Sequence, residues 1–215
     1  WRMFKALMLD TKDGSIAAEV RELDTEALPD GDVLVSVLYS SLNYKDGLAV
    51  TGKGKIIRGD FPFIPGIDLV GRVEASASSK WKPGDLVVQT GGGLGETTWG
   101  GYSQKQRLSG EALVHLPEAI SPLRAMVLGT AGFTAMLSVM TLERHGITTE
   151  RGEVVVTGAS GGVGSVAVAL LAQRGYTVVA SSGSEDAYDY LRDLGASAII
   201  HREELGQGAG QPLES

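Results

Sequence analysis

Apolar and polar positions follow two different periods along this chain. Through about residue 117 the apolar runs are short: Ala6–Leu9, Asp32–Leu38, Ile67–Val73, Leu86–Val88 and Leu113–Leu116. Turn residues separate them, as at Pro29-Asp30-Gly31, Pro65-Gly66 and Pro83-Gly84-Asp85. Short runs punctuated in this way predict strands of a compact sheet or barrel domain. The glycine-dense stretch Gly91-Gly92-Gly93-Leu94-Gly95 has no apolar helix after it, so it reads as a mobile loop rather than a phosphate cradle. From Ser121-Pro122, a capping hydroxyl followed by a proline suited to the first helical turn, the period becomes helical. Phe133, Met136, Leu137 and Met140 stand at i, i+3, i+4 and i+7 and predict the core face of a helix that Gly146 can end.

From Glu153 the order becomes strand, glycine turn, helix, strand, helix, strand. Val154-Val155-Val156 is apolar throughout, as a buried parallel strand requires. Val163, Val166, Ala167, Leu170 and Leu171 keep helical spacing up to Gly175; Thr177–Ala180 and Ser197–Ile200 read as the next strands, with a helix over Ala187–Leu194 between them. This alternation predicts a doubly wound α/β unit. Only 64 residues follow Arg151 (215 − 151), against the ~100–150 expected of a whole domain. The expectation is therefore a partial dinucleotide domain within a longer protein.

Thr157-Gly158-Ala159-Ser160-Gly161-Gly162-Val163-Gly164 joins the first of these strands to its helix. Glycines at 161 and 162 let backbone approach a diphosphate, Gly164 allows the helix to pack against the strand, and the helix N-terminus offers free N–H groups. The strand-before, helix-after context makes this a dinucleotide site. The second strand ends in Ser181-Ser182-Gly183-Ser184 rather than the carboxylate that would hold a ribose 2′-hydroxyl. Small hydroxyls leave room for a 2′-phosphate, and Arg202 follows the third strand, so NADPH is expected over NADH. Ser184 also suits the N-cap of the helix that follows. A short-chain dehydrogenase reading fits residues 157–164 but fails for want of a Tyr-x-x-x-Lys pair: Tyr44 leads to Leu48 and Tyr188 to Arg192.

Composition narrows the chemistry. With 19 basic and 26 acidic residues the net charge is −7, which argues against nucleic acid or an anionic membrane as partner. No apolar run reads as the ~20 residues of a membrane span, and a cytoplasmic location is the default. The chain has no cysteine, and its three histidines, His115, His145 and His201, are scattered. No zinc site of the Cys/His type can be built, so the metal expectation is none.

The sequence resembles the medium-chain dehydrogenase/reductase superfamily, and within it the NADPH-dependent acrylyl-CoA reductase group, which is often described as quinone oxidoreductase-like. The resemblance rests on Ser41–Ala49 (SLNYKDGLA), Thr51–Lys55, Pro65–Asp68, Gly95-Glu96 with Trp99–Gly101, Gly129–Met136 (GTAGFTAM), the glycine turn and Tyr190–Ala196. It implies a GroES-like β-barrel catalytic domain over 1–120, followed over 121–215 by linker helices and the first half of a Rossmann domain. It implies that Tyr44 lies beside the nicotinamide, with Asn43 and Asp46 shaping the same pocket. Ser160, Gly161, Gly162 and Val163 would hold the diphosphate, and Ser182, Gly183, Ser184 and Arg202 the 2′-phosphate. Two positions depart from the group's pattern: Ser184 stands where an arginine is expected, and Gly92 where tryptophan is common.

The implied activity is metal-free reduction of the C=C bond of a short 2-enoyl-CoA, acrylyl-CoA to propionyl-CoA. Tyr44 would donate a proton or position the ring, the alternative being a half-buried structural tyrosine. Lys53, Lys55 and Arg58 form a basic loop, suited to CoA phosphates or simply solvated. NADPH:quinone reduction and a non-catalytic NADPH-binding module are the other readings. The resemblance also implies a homodimer for the full-length protein.

Overall fold

The computed structural model describes residues 2–207. The chain divides into two compact units, Trp1–Thr130 and Ala131–Ser215.

The first unit begins with a hairpin, β1 (Met3–Lys12) and β2 (Ser15–Asp24), paired antiparallel over their full length. Asp13 and Gly14 at the turn both have positive φ, 52° and 76°. An Asp-Gly pair is suited to such a turn because glycine and aspartate tolerate the left-handed region best. β3 (Val33–Ser40) is followed by α1 (Tyr44–Thr51), then β4 (Asp68–Ser76), β5 (Leu86–Thr90), β6 (Lys105–Leu108) and β7 (Val114–His115). These five strands form an antiparallel sheet in the order β6-β3-β4-β5-β7. The sheet buries Val33, Val35, Leu69, Val73, Trp81, Val87, Leu94, Leu108 and Leu113 in one cluster. Trp81 satisfies its indole N–H on the Gly110 carbonyl at 2.7 Å, so its large apolar body is buried without an orphaned donor. A second cluster (Phe4, Ala6, Met8, Leu28 and Ile64) seats the hairpin.

α2 (Pro122–Arg144) links the units and has one residue outside helical geometry, Gly129 at φ 47°, ψ −155°. By length and apolar composition this helix passes as a membrane span, which corrects the expectation that no segment is long enough. The break at Gly129 divides it into a short segment and a 130–144 segment.

The second unit continues with β8 (Glu153–Thr157), α3 (Gly162–Gln173), β9 (Thr177–Ser182), α4 (Tyr188–Asp193), β10 (Ala198–His201) and α5 (Glu204–Gln207). Its sheet is parallel, in the order β10-β9-β8. Val139, Ala159, Val168, Leu171, Tyr176, Val178, Ala180 and Leu191 form its core. The predicted face of α2 is corrected here. Phe133 and Leu137 are exposed, while Gly132, Ala135 and Val139 are buried. The small residues take the close-packed side of the helix, and the seam is displaced from the largest apolar side chains.

Candidate cofactor site and active site

In the second unit, β8 runs into a turn whose backbone suits glycine. Gly158 has φ 58°. A Cβ on Gly164 would collide with the Gly158 carbonyl and the Ala159 Cα, so the absence of a side chain there sets how closely α3 approaches the strand. α3 starts at Gly162 with Gly161 as its N-cap, and no side chain caps it. Its first N–H groups are therefore left for a ligand, with the positive end of the helix dipole behind them. Ser160, Gly161, Gly162 and Val163 are all exposed here.

At the end of β9 the Ser182 hydroxyl donates to the Ser160 hydroxyl at 3.1 Å and accepts the Ser184 N–H at 3.2 Å. This ties the 2′-phosphate candidates to the diphosphate turn. Arg202 lies across Gly183 so closely that a Cβ at 183 would overlap its guanidinium. The backbone N–H of Arg202 also donates to the Ser182 carbonyl at 3.2 Å. Ser184 occupies the N-cap position of a short 3₁₀ turn over Glu185–Ala187, but its hydroxyl makes no capping bond. A free hydroxyl, an exposed arginine and open glycine backbone are the donor set that a phosphorylated dinucleotide requires, and the residues present fit that group.

In the first unit, α1 presents Tyr44 with 86% of its surface exposed. The reading of Tyr44 as a half-buried structural tyrosine is thereby corrected: its ring is held by no core. Its neighbours are fixed instead. Asp46, 1% exposed, accepts the Asn43 backbone N–H at 2.9 Å, the Asn43 side-chain amide at 3.1 Å and the Ile67 N–H at 3.0 Å. The Asp46 carboxylate thus reaches back to the N-cap of its own helix and also joins α1 to the start of β4. Gly52, at φ 67°, closes the helix.

Sequence reasoning assigned no role to Asp68, Ser41, Thr130 or Tyr102. Asp68 is wholly buried and accepts from Asn43 Nδ2 at 3.0 Å, Thr130 N at 3.0 Å, Thr130 Oγ1 at 2.6 Å and the Ser41 hydroxyl. The Tyr102 hydroxyl donates to the Ser41 carbonyl at 3.1 Å. Burial, reinforced by the negative charge of Asp46 and Asp68, pushes its phenol well above the usual tyrosine range. One signal was legible: a carboxylate at position 68 inside the apolar run Ile67–Val73 must find partners, because a buried charge without them is too costly to keep. Lys53 and Lys55 are exposed, and Arg58 lies 3.7 Å from Glu96, which Lys45 meets at 2.6 Å.

Residues 29–118 match the alcohol dehydrogenase GroES-like domain. The fold, a GroES-like domain followed by a Rossmann-like unit, is similar to that of solved oxidoreductases. In sequence the chain resembles acrylyl-CoA reductases. It is 53% identical over 210 residues to the probable acrylyl-CoA reductase AcuI of Escherichia coli K12, covering 98% of this chain and 64% of that protein. It is 50% identical over 215 residues to the acrylyl-CoA reductase AcuI of Ruegeria pomeroyi, covering 99% and 65%. The crystal structure of the yhdH oxidoreductase of Salmonella enterica in complex with NADP superposes with a TM-score of 0.94 at 54% identity, over 98% of this chain and 64% of that one. The chain thus spans just under two thirds of the length of these relatives.

Proposed function

We propose that the full-length protein is a zinc-independent, NADPH-dependent reductase of short 2-enoyl-CoA thioesters, converting acrylyl-CoA to propionyl-CoA. The observation that carries the reading is identity of 50% or more, over almost every residue of this chain, to two proteins named acrylyl-CoA reductases. The bound NADP of the Salmonella enterica structure and the donor set at residues 160–163, 182–184 and 202 support NADPH as the cofactor.

When bound, NADPH supplies the hydride that adds to the β-carbon of the enoyl thioester. The chain's residues bind and orient. Ser160, Gly161, Gly162 and Val163 receive the diphosphate at the N-terminus of α3. Ser182, Gly183, Ser184 and Arg202 receive the 2′-phosphate; a guanidinium suits it because it forms paired, charge-assisted hydrogen bonds. Tyr44 is the candidate catalytic residue: exposed on a firmly anchored helix, its hydroxyl is free to deliver the proton that the α-carbon requires. Asn43 and Asp46 hold that helix start in place. Lys53, Lys55 and Arg58, exposed in an otherwise acidic protein, are the candidates to meet the phosphates of CoA. The setting that fits this work is a soluble homodimer in the cytoplasm, without nucleic acid or membrane as partner.

Steady-state kinetics on the full-length protein test the reading. Acrylyl-CoA should be reduced with NADPH at a kcat/KM at least tenfold above that of a simple quinone, and Tyr44→Phe should lower kcat at least tenfold. Preference for the quinone would make the protein a quinone reductase. NADPH binding without consumption by any enoyl thioester or quinone would make it a non-catalytic binding module.

A further inference from the structure

Donors from two distant stretches of the first unit meet on Asp68. On one side, Ser41 and Asn43, which precede α1, donate to Asp68 Oδ2. On the other, the break at Gly129 takes the Thr130 N–H out of the ordinary helical ladder and turns it to Asp68 Oδ2, while the Thr130 hydroxyl donates to Oδ1. A carboxylate from β4 therefore takes both Thr130 donors, the N–H on Oδ2 and the hydroxyl on Oδ1, as a capping side chain would. Gly129 is required twice over. Its φ of 47° suits glycine, and a Cβ there would lie 2.7 Å from Asp68 Oδ2. The Asn43 amide also bridges Asp68 to Asp46. Among the described residues no lysine, arginine or histidine pairs with either carboxylate. Neutral donors alone hold both, so their hydrogen-bond geometry is the means by which the cluster is ordered.

We infer that Asp68 is a positioning residue for the proposed reduction: with Thr130 it fixes the start of α1, and through that the direction in which Tyr44 is presented. The inference rests on the reductase reading for its kinetic consequence, and on geometry alone for its structural one. It predicts a dependence on hydrogen-bond pattern rather than on charge. In Asp68→Asn the amide oxygen can keep the three donors at Oδ2, and the NH₂ can donate to the Thr130 hydroxyl, which is able to accept. In Asp68→Ala all four donors lose their acceptor.

The test compares the two variants in the full-length protein by kcat and KM for NADPH and for acrylyl-CoA. Amide hydrogen exchange over 41–47 and 129–131 is measured alongside. Asp68→Ala should lower kcat at least tenfold, leave KM for NADPH within threefold, and speed exchange in both segments at least tenfold. Asp68→Asn should restore most of kcat and most of the protection. A kcat for Asp68→Ala within twofold of the parent overturns the inference, as does an Asn variant no better than the Ala variant. Should the Ala variant not fold, Thr130→Val decides. It removes one donor, and it should lower kcat at least threefold with KM for NADPH unchanged; an unchanged kcat refutes the role. If the parent protein reduces neither acrylyl-CoA nor a quinone, the reductase reading fails. The exchange measurement then decides the inference, with unaltered exchange at 41–47 in Asp68→Ala overturning it.

Discussion

The two units prepare their sites in opposite ways. In Trp1–Thr130 the candidate residues are ordered by side chains: buried Asp46 and Asp68 collect donors from Ser41, Asn43, Ile67 and Thr130. In Ala131–Ser215 the site is ordered by the absence of side chains: Gly158 has a positive φ, and a Cβ at Gly164 or Gly183 would collide with its neighbours. A site of the first kind is sensitive to the loss of an atom, and one of the second kind to the gain of one. A carboxylate network loses its geometry when an acceptor disappears. A glycine turn fails when a methyl group has nowhere to go, because neighbouring backbone cannot step aside.

The sharpest break of this comparison is Gly164→Val. Its Cβ would overlap the Gly158 carbonyl, so α3 must move away from the strand. Overpacking of this kind costs about 1–3 kcal/mol or more. NADPH affinity measured by calorimetry should fall on the order of a hundredfold, since each 1.4 kcal/mol is a factor of ten. Retained affinity would mean that the glycine turn is not what holds the cofactor.

A smaller effect is expected of Arg202→Leu. The substitution removes the charged donor lying across Gly183 and leaves the diphosphate turn intact. A hydrogen bond to a charged group contributes about 1.5–3 kcal/mol, so the NADPH-to-NADH preference should fall at least tenfold while NADH affinity stays nearly constant. An equal loss for both nucleotides would assign Arg202 to the fold rather than to the 2′-phosphate.

The mildest probe is pH, and it acts on the first unit. Tyr102 has its phenol raised above the ordinary tyrosine value of about 10. A group raised on folding contributes stability that is complete below its unfolded value and is lost as pH rises toward the folded one. Denaturant midpoints should hold steady to about pH 9 and decline above pH 10. Tyr102→Phe should flatten that alkaline decline. In the second unit, Arg174 lowers the carboxyl of Glu143 through paired hydrogen bonds of 2.7 and 2.8 Å. Its stabilisation is present above the unfolded glutamate value and lost as pH falls through the folded one. It lies at the surface, so salt should screen it.

The sequence carried the second unit more fully than the first. Val154–Val156, the glycine turn and the helix from Gly162 are legible from residue type and local spacing, although β8 pairs with β9 more than twenty residues on, and Val155 is exposed where the apolar run predicted a buried strand. Hence β8, α3, β9 and β10 fall where the periodicity predicts. The first unit was legible as strands, but β2 was overlooked, although Asp13-Gly14 marks its hairpin, and α1 left no apolar stripe to read. The face of α2 was misread because apolar size was taken as the sign of burial, whereas Gly132, Ala135 and Val139 face inward.

What the sequence alone determined is the alternation of strand and helix and the strand–glycine–helix turn, since each depends on residue type and local spacing. Only the tertiary structure decided that Asp68 gathers residues 41, 43 and 130 and that Arg202 lies across Gly183. Contacts between residues so far apart in the chain leave no period to read; they exist because buried carboxylates must find donors wherever the fold supplies them.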